Sequence, residues 1–250
     1  MKIQICSDLH LEFARNRAWL AEHPLIPAGD ILLIAGDTYY LDQDYGSLDV
    51  IQRLAHDFER VYLIPGNHEY YGGFDVASAL QPMHQILLEN VFMVNNQVVE
   101  IEDTKFIFST MWSKVEKYIM DVLRGMTDFR KIRFKGAPFT IDHFNEIHQA
   151  ATLFLEEASK LDGKKVVVTH HLPSSLCNIE RFKDSPLNEA FCAEKTKFIA
   201  EADIDYWIYG HSHGNKDDFE INGTRMVTNQ LGYVAYGEHT AFQRDRIIEM

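Results

Sequence analysis

Residues 31–37 read Ile-Leu-Leu-Ile-Ala-Gly-Asp: four large aliphatic side chains, one small residue, then a glycine and a carboxylate. A half-exposed strand alternates polar and apolar positions, so an unbroken apolar run of this length reads as a strand buried on both faces. The same pattern recurs at Lys2 to Ser7 (KIQICS), Val61 to Ile64 (VYLI), Phe106 to Ser109 (FIFS), Lys165 to Thr169 (KVVVT) and Tyr206 to Tyr209 (YWIY). Between these runs the pattern predicts helices over 48–59, 74–89, 141–161 and 190–201. In the third, Phe144, Ile147, His148, Ala151, Phe154, Leu155 and Ala158 follow helical spacing. The alternation predicts an α/β sandwich with at least one largely parallel sheet. Asn222-Gly223, between 218–221 and 225–228, predicts a C-terminal antiparallel β-hairpin, because both residues of such a turn must tolerate positive φ. No repeat, low-complexity tract or Pro/Ser-rich linker interrupts the chain, so 1–250 reads as a single domain.

The 250 residues are 46% hydrophobic and 12% aromatic, enough to fill a substantial core, which excludes disorder as the main description. The formal net charge of −13 argues against non-specific attraction to long nucleic acid or an anionic membrane. Cys6, Cys177 and Cys192 are odd in number and lack CxxC pairing, so they read as reduced, mostly buried thiols. No stretch approaches the roughly eighteen apolar residues of a membrane span. The first residues, MKIQICSDLH, lack the apolar run of a signal peptide, and the cytoplasm is the expected compartment.

Almost every buried strand runs into a side chain able to bind metal. The endings are Asp8-Leu9-His10, Gly36-Asp37, Pro65-Gly66-Asn67-His68-Glu69, Thr169-His170-His171 and Gly210-His211-Ser212-His213. Open α/β sheets gather functional groups where strands give way to loops, so five such endings can share one rim. Strand alternation is expected to put Asp8 and His10 on one side, close enough to chelate a cation. Gly36 and Gly66 leave room for tight turns, Gly210 frees the backbone to present His211 and His213, and Asp37 has two oxygens with which to bridge two ions. Imidazole, carboxylate and amide oxygen suit Mn, Fe, Zn or Co, and without a cysteine in the set iron–sulfur chemistry is not indicated. Singly these motifs are common as caps and turns. Their ordered recurrence, one at each successive strand end, is what points to a metal site.

As a set, Asp8-x-His10, Gly36-Asp37, Gly66-Asn67-His68-Glu69, His170 and Gly210-His211-Ser212-His213 resemble the calcineurin-like metallophosphoesterases, from residue 8 to residue 213. The resemblance implies a four-layer αββα sandwich with two divalent ions, Mn, Fe or Zn, at the strand ends. It implies that Asp8, His10, Asp37 and His213 hold one ion and Asp37, Asn67, His170 and His211 the other. His68 is then the non-ligand histidine near the scissile group, and the family pattern favours His170 over His171, which becomes a supporting or substrate-facing residue. The implied activity is phosphate-ester hydrolysis: a hydroxide bridging ions about 3.5–4 Å apart attacks phosphorus in line, and His68 assists the leaving group.

Departures from the family pattern narrow the substrate. After Asp37 the chain reads Thr38-Tyr39-Tyr40 and lacks the downstream Asp-Arg of the protein Ser/Thr phosphatases, and Pro65 stands where they have Arg. The short, acidic chain also argues against the double-strand-break nucleases. A small-molecule phosphomonoesterase or phosphodiesterase remains, acting on a small phosphate ester with no membrane partner. Its rivals are a catalytically silent protein-binding platform and a phosphodiesterase of cyclic nucleotides or nucleic-acid ends. Tyr39, Tyr40, Tyr70 and Tyr71 follow metal-bearing loops and either contact substrate or cover the core edge. Arg124, Arg130, Lys131, Arg133 and Lys135 form either a solvated face or a phosphate-attracting rim. Glu12 and Glu69 adjoin the motifs and are expected to orient imidazoles. His23, His56, His84, His143, His148 and His239 read as ordinary surface or core residues.

Overall fold

The computed structural model describes residues 1–250. Its first half gives β1 (Lys2–Cys6), α1 (Ala14–Glu22), β2 (Ile31–Ile34), α2 (Asp49–Asp57), β3 (Arg60–Leu63), β4 (Met83–Leu88), β5 (Val91–Asn95), β6 (Gln97–Ile101) and β7 (Thr104–Ser109). Then follow α3 (Ile119–Gly125), α4 (Asp128–Lys131), the two-residue strands β8 (Arg133–Phe134) and β9 (Ala137–Pro138), α5 (Ile141–Ala158) and β10 (Lys164–Thr169). The chain ends with α6 (Asn188–Phe191), α7 (Thr196–Glu201), β11 (Tyr206–Tyr209), β12 (Phe219–Ile221), β13 (Thr224–Thr228) and β14 (Ile247–Glu249).

Two six-stranded sheets result, ordered β14-β1-β2-β3-β5-β4 and β12-β13-β11-β10-β7-β6. Each has four parallel strands in the middle and one antiparallel strand on either edge. Strand periodicity then sorts the apolar residues into layers. Ile3, Ile5 and Leu33 meet Phe106, Phe108 and Val168 between the sheets. Their neighbours Leu32, Ile34 and Leu63 face outward onto Leu20 of α1 and Ile51 and Leu54 of α2. On the far side, Ile107, Val167 and Trp207 pack against Leu155 and Ala158 of α5 and Ile199 of α7. The expected αββα sandwich is therefore what the chain forms. No helix is long and apolar enough to cross a membrane, and all three cysteines are free.

Local corrections have local causes. The helix expected over 74–89 is instead a short 3₁₀ turn, Val76–Leu80, followed by the edge strand β4. Pro82 disfavours helical backbone at the residue before it, and Gln81 is extended at φ −115°, ψ 153°. The helix expected over 190–201 divides into α6 and α7, because the intervening N–H groups of Ala193 and Lys195 donate to Leu172 and Pro173 instead of to a helical turn. The Asn222-Gly223 hairpin forms with φ of 47° and 96° at its two turn residues. It does not end the chain, which returns to the first sheet as β14 beside β1. Helix α1 was not legible, since only Asn16 and Leu20 are buried within it.

Phe108 is fully buried between the sheets and stacks on Tyr62, whereas Ile86 on the β4 edge is 68% exposed. Phe108→Ala is expected to cost about 3–5 kcal/mol, and Ile86→Ser to change stability by less than about 0.5 kcal/mol. Urea-denaturation midpoints measured at constant m-value check both.

Candidate metal centre

Because the central strands of each sheet run parallel, their C-terminal ends lie on one edge, and the loops leaving β1, β2, β3, β10 and β11 converge there. Asp8, His10, Asp37 and His213 form one group of donor atoms within 4.8 Å of one another, and Asp37, His170 and His211 form a second. Asp37 belongs to both. Its Oδ2 lies 3.7 Å from His10 Nε2 and its Oδ1 3.4 Å from His170 Nε2. Asn67 Oδ1 is 3.2 Å from the same His170 nitrogen, and His213 Nε2 is 3.5 Å from Asp8 Oδ1.

Strand alternation does not create this arrangement. β1 ends at Cys6, and Asp8, His10, Asp37, His211 and His213 all adopt left-handed backbone, with φ between 47° and 75°. Gly36 shares that region at φ 90°. Gly66 does not, and it is required for another reason: a Cβ there would lie 2.1 Å from Asp37 Oδ1. It is the missing side chain that admits the carboxylate shared by the two groups.

The imidazoles are oriented from behind. His10 Nδ1 donates to Glu12 at 3.0 Å, His213 Nδ1 to Glu238 at 2.7 Å, and His170 Nδ1 to the Ala35 carbonyl at 2.8 Å. Each bond holds a proton on Nδ1 and turns Nε2 inward. His211 Nε2 is buried with no hydrogen-bond partner, as suits a nitrogen reserved for a ligand. The Asn67 amide is fixed by Nδ2 donating to Asp128 at 2.9 Å, with the Tyr71 hydroxyl on the same carboxylate oxygen. Of the two glutamates expected to orient imidazoles, only Glu12 does so. Glu69 is fully buried and instead accepts from the backbone N–H groups of Asp37, Thr38 and Gly66, clamping two loops together.

Burial raises the cost of charge here, so the titrations are set by partners. Burial opposes protonation of His170, but the Asp37 charge overrides it and lifts the ring to about 9. In the same way Asp8 and Glu238 hold His213 protonated up to about 10. Burial would raise Glu12, yet hydrogen bonds from His10 and His68 bring it down to about 2. Asp37 lies well below the usual carboxylate range, the charges of His170 and His68 outweighing its burial.

His68 touches this cluster without sharing its inner face. Its Nδ1 donates to Glu12 at 2.7 Å and its Nε2 lies 3.2 Å from the Tyr233 hydroxyl, in a cavity of about 310 Å³ that also reaches Asp37, Asn67, His211 and His213. His171 is buried beside His211, against Trp112 and Phe144, and does not line the cavity. Among the four loop tyrosines only Tyr71 lines it, and Tyr70 is core. The basic segment contributes Gly125, Met126 and Thr127 to the wall but none of its cations. Arg130 donates instead to the Arg124 carbonyl and to Thr127. Asp128, Tyr233 and Glu238 were not anticipated. No local signal separates them from ordinary surface residues, and Tyr233 meets His68 across 165 positions.

A model of the calcineurin-like phosphoesterases matches residues 1–215. An uncharacterized protein of Acanthamoeba polyphaga mimivirus is 28% identical over 92% of this chain and 91% of its own. The crystal structure of phosphopantetheinyl hydrolase (PptH) from Mycobacterium tuberculosis superposes with a TM-score of 0.68 at 18% identity, covering 99% of this chain and 95% of that one. Two parallel-centred sheets, donor groups at their shared edge and a family match over most of the length agree: the chain belongs to the calcineurin-like phosphoesterase family, hydrolases of phosphate esters that use divalent metals.

Proposed function

We propose that the chain hydrolyses a small phosphate ester with two divalent ions, one held by Asp8, His10, Asp37 and His213 and the other by Asp37, Asn67, His170 and His211. The observation that carries this reading is the pair of donor groups sharing Asp37, each imidazole fixed from its far nitrogen where a partner is present. Oxygen and imidazole donors suit Mn, Fe or Zn. When bound, such ions supply an activated water at neutral pH and offset charge on the phosphate oxygens.

The remaining work falls to the chain. Glu12 holds the Nδ1 proton of His68, leaving Nε2 facing the cavity, where it carries a proton to the departing alkoxide. Asp128 keeps the Asn67 amide from rotating its NH₂ toward the cations. Leu9, Gly232 and α1 are tied by the Asn16 amide, which donates to both carbonyls and so braces the loop bearing Asp8 and His10. A net charge of −13 argues against long polyanions. It leaves a small ester as the partner.

Chelator treatment is expected to abolish phosphoester turnover, and Mn, Fe or Zn to restore it. Turnover that survives complete stripping, checked by elemental analysis, would defeat the reading. No turnover on any phosphoester by folded, metal-loaded protein would favour the binding platform. His68→Ala is expected to retain both ions while losing roughly 10²–10⁴ in kcat. Wild-type turnover in that variant would remove the role of His68. A third expectation concerns protons. His170 and His213 hold protons up to about 9 and about 10 without a cation, so metal binding at pH 7 must displace them. Affinity should therefore rise with pH through this range. Calorimetry in buffers of different ionisation enthalpy should register proton release on metal addition.

A further inference from the structure

Beyond the donor cluster the cavity changes character. It runs between the α3–α4 junction and the segment leading into α6, with Met126, Phe182, Leu187 and Phe191 as its apolar wall. Phe191 stacks at 4.4 Å on His211, so this wall begins directly at the metal centre. No lysine or arginine lines the cavity, and Glu238 adds a carboxylate at its edge.

The polar side chains of the wall are largely committed. Asn178 Nδ2 donates to Asn188 Oδ1, and Asn188 Nδ2 donates to the carbonyls of Phe182 and Lys183. Thr127 Oγ1 accepts from Arg130, and Ser185 Oγ accepts from the Leu187 N–H. The two asparagine amides are spent on the wall itself, and the Thr127 and Ser185 hydroxyls leave an anion only neutral donors.

From this we infer that the substrate is a phosphodiester whose second arm is an uncharged, partly apolar alcohol lying along Met126, Phe182, Leu187 and Phe191. The inference rests on the two-ion reading above. A charged arm would lose its hydration against this wall without gaining a counter-ion, whereas an uncharged arm gains by covering apolar surface. The phosphate makes the same choice. A monoester dianion needs cationic donors on its terminal oxygens, and apart from the two ions and His68 the cavity supplies none. A diester monoanion needs fewer. A cavity of about 310 Å³ limits the arm to a small group, not a polymer.

The test uses bis(p-nitrophenyl) phosphate as diester and p-nitrophenyl phosphate as monoester on the full-length, metal-loaded protein. Wild type should show a kcat/KM at least about tenfold higher for the diester. The turnover-poor His68→Ala protein provides a readout independent of activity: by calorimetry it should bind the diester more tightly than the monoester. Ser185→Lys and, separately, Thr127→Lys each put a cation on the neutral wall and should shift that binding ratio toward the monoester by about tenfold. A monoester preference in both assays, or lysine variants that fold and leave the ratio unmoved, overturns the inference and leaves the two-ion reading standing. No turnover of any phosphoester by folded, metal-loaded wild type, with neither probe bound by the His68→Ala protein, removes both.

Discussion

The arrangement depends on a carboxylate buried where carboxylates are least stable. Asp37 is 1% exposed, yet it is held ionised by histidines on both sides. Removing a charge of this kind from water costs several kcal/mol unless partners replace the solvent, and the neighbouring residues are arranged to replace it. The His68 N–H donates to Oδ1 at 2.9 Å, His170 and His10 approach the two oxygens, and Glu69 holds the backbone on which the carboxylate stands. Gly66 contributes by having no side chain. These residues come from three other strand ends, those of β1, β3 and β10, so Asp37 ties the two sheets into one site as surely as their shared core does.

A second cost is conformational. Of the eight residues gathered at the centre, His68 among them, five sit in left-handed backbone, at roughly 1–3 kcal/mol each for a side-chain-bearing residue. Such strain persists only where surrounding bonds over-determine it. At Asp8 they do: its N–H donates to the Gly36 carbonyl, its own carbonyl accepts from Gly232, and its carboxylate accepts from the His211 N–H. The same bonds hold Asp8 in the conformation that brings its carboxylate beside His213 Nε2.

This explains which parts were legible in the sequence. Buried runs such as ILLI (31–34) and VVVT (166–169) announced strands because parallel strands covered on both faces must be apolar throughout, and the residues after them announced a site because parallel strands end together. The layer order was recognisable through the family resemblance, which also implied the residues that the fold gathers into the two donor groups. Asp8 and His10 do come together, but through left-handed backbone and not strand alternation, and positive φ at a non-glycine residue leaves no trace in composition. The edge strand β4 was misread because apolar residues at 74, 77 and 80 mimic helical spacing up to Pro82. Asp128 reads locally as one charge in a basic stretch, and only the fold brings it onto Asn67 across 61 positions.

Glu12 shows how the departures from the family pattern fit together. Protein Ser/Thr phosphatases of the superfamily carry an Asp-Arg after their Gly-Asp that this chain lacks, and the carboxylate beside His68 is that of Glu12. Glu12 approaches the ring from the first loop, and the same oxygen accepts from His10. One carboxylate oxygen thus orients both His10 and His68, so a displacement of either ring is felt by the other. The other side of His68 is set by Tyr233, and His213 is set by Glu238, both beyond the residues the family model matches. The shared strand ends supply the chemistry, while Glu12 and the segment after residue 215 supply its orientation and part of the cavity. Substrate choice in this chain is therefore to be sought in the wall and the C-terminal segment, not in the motifs that identify the family.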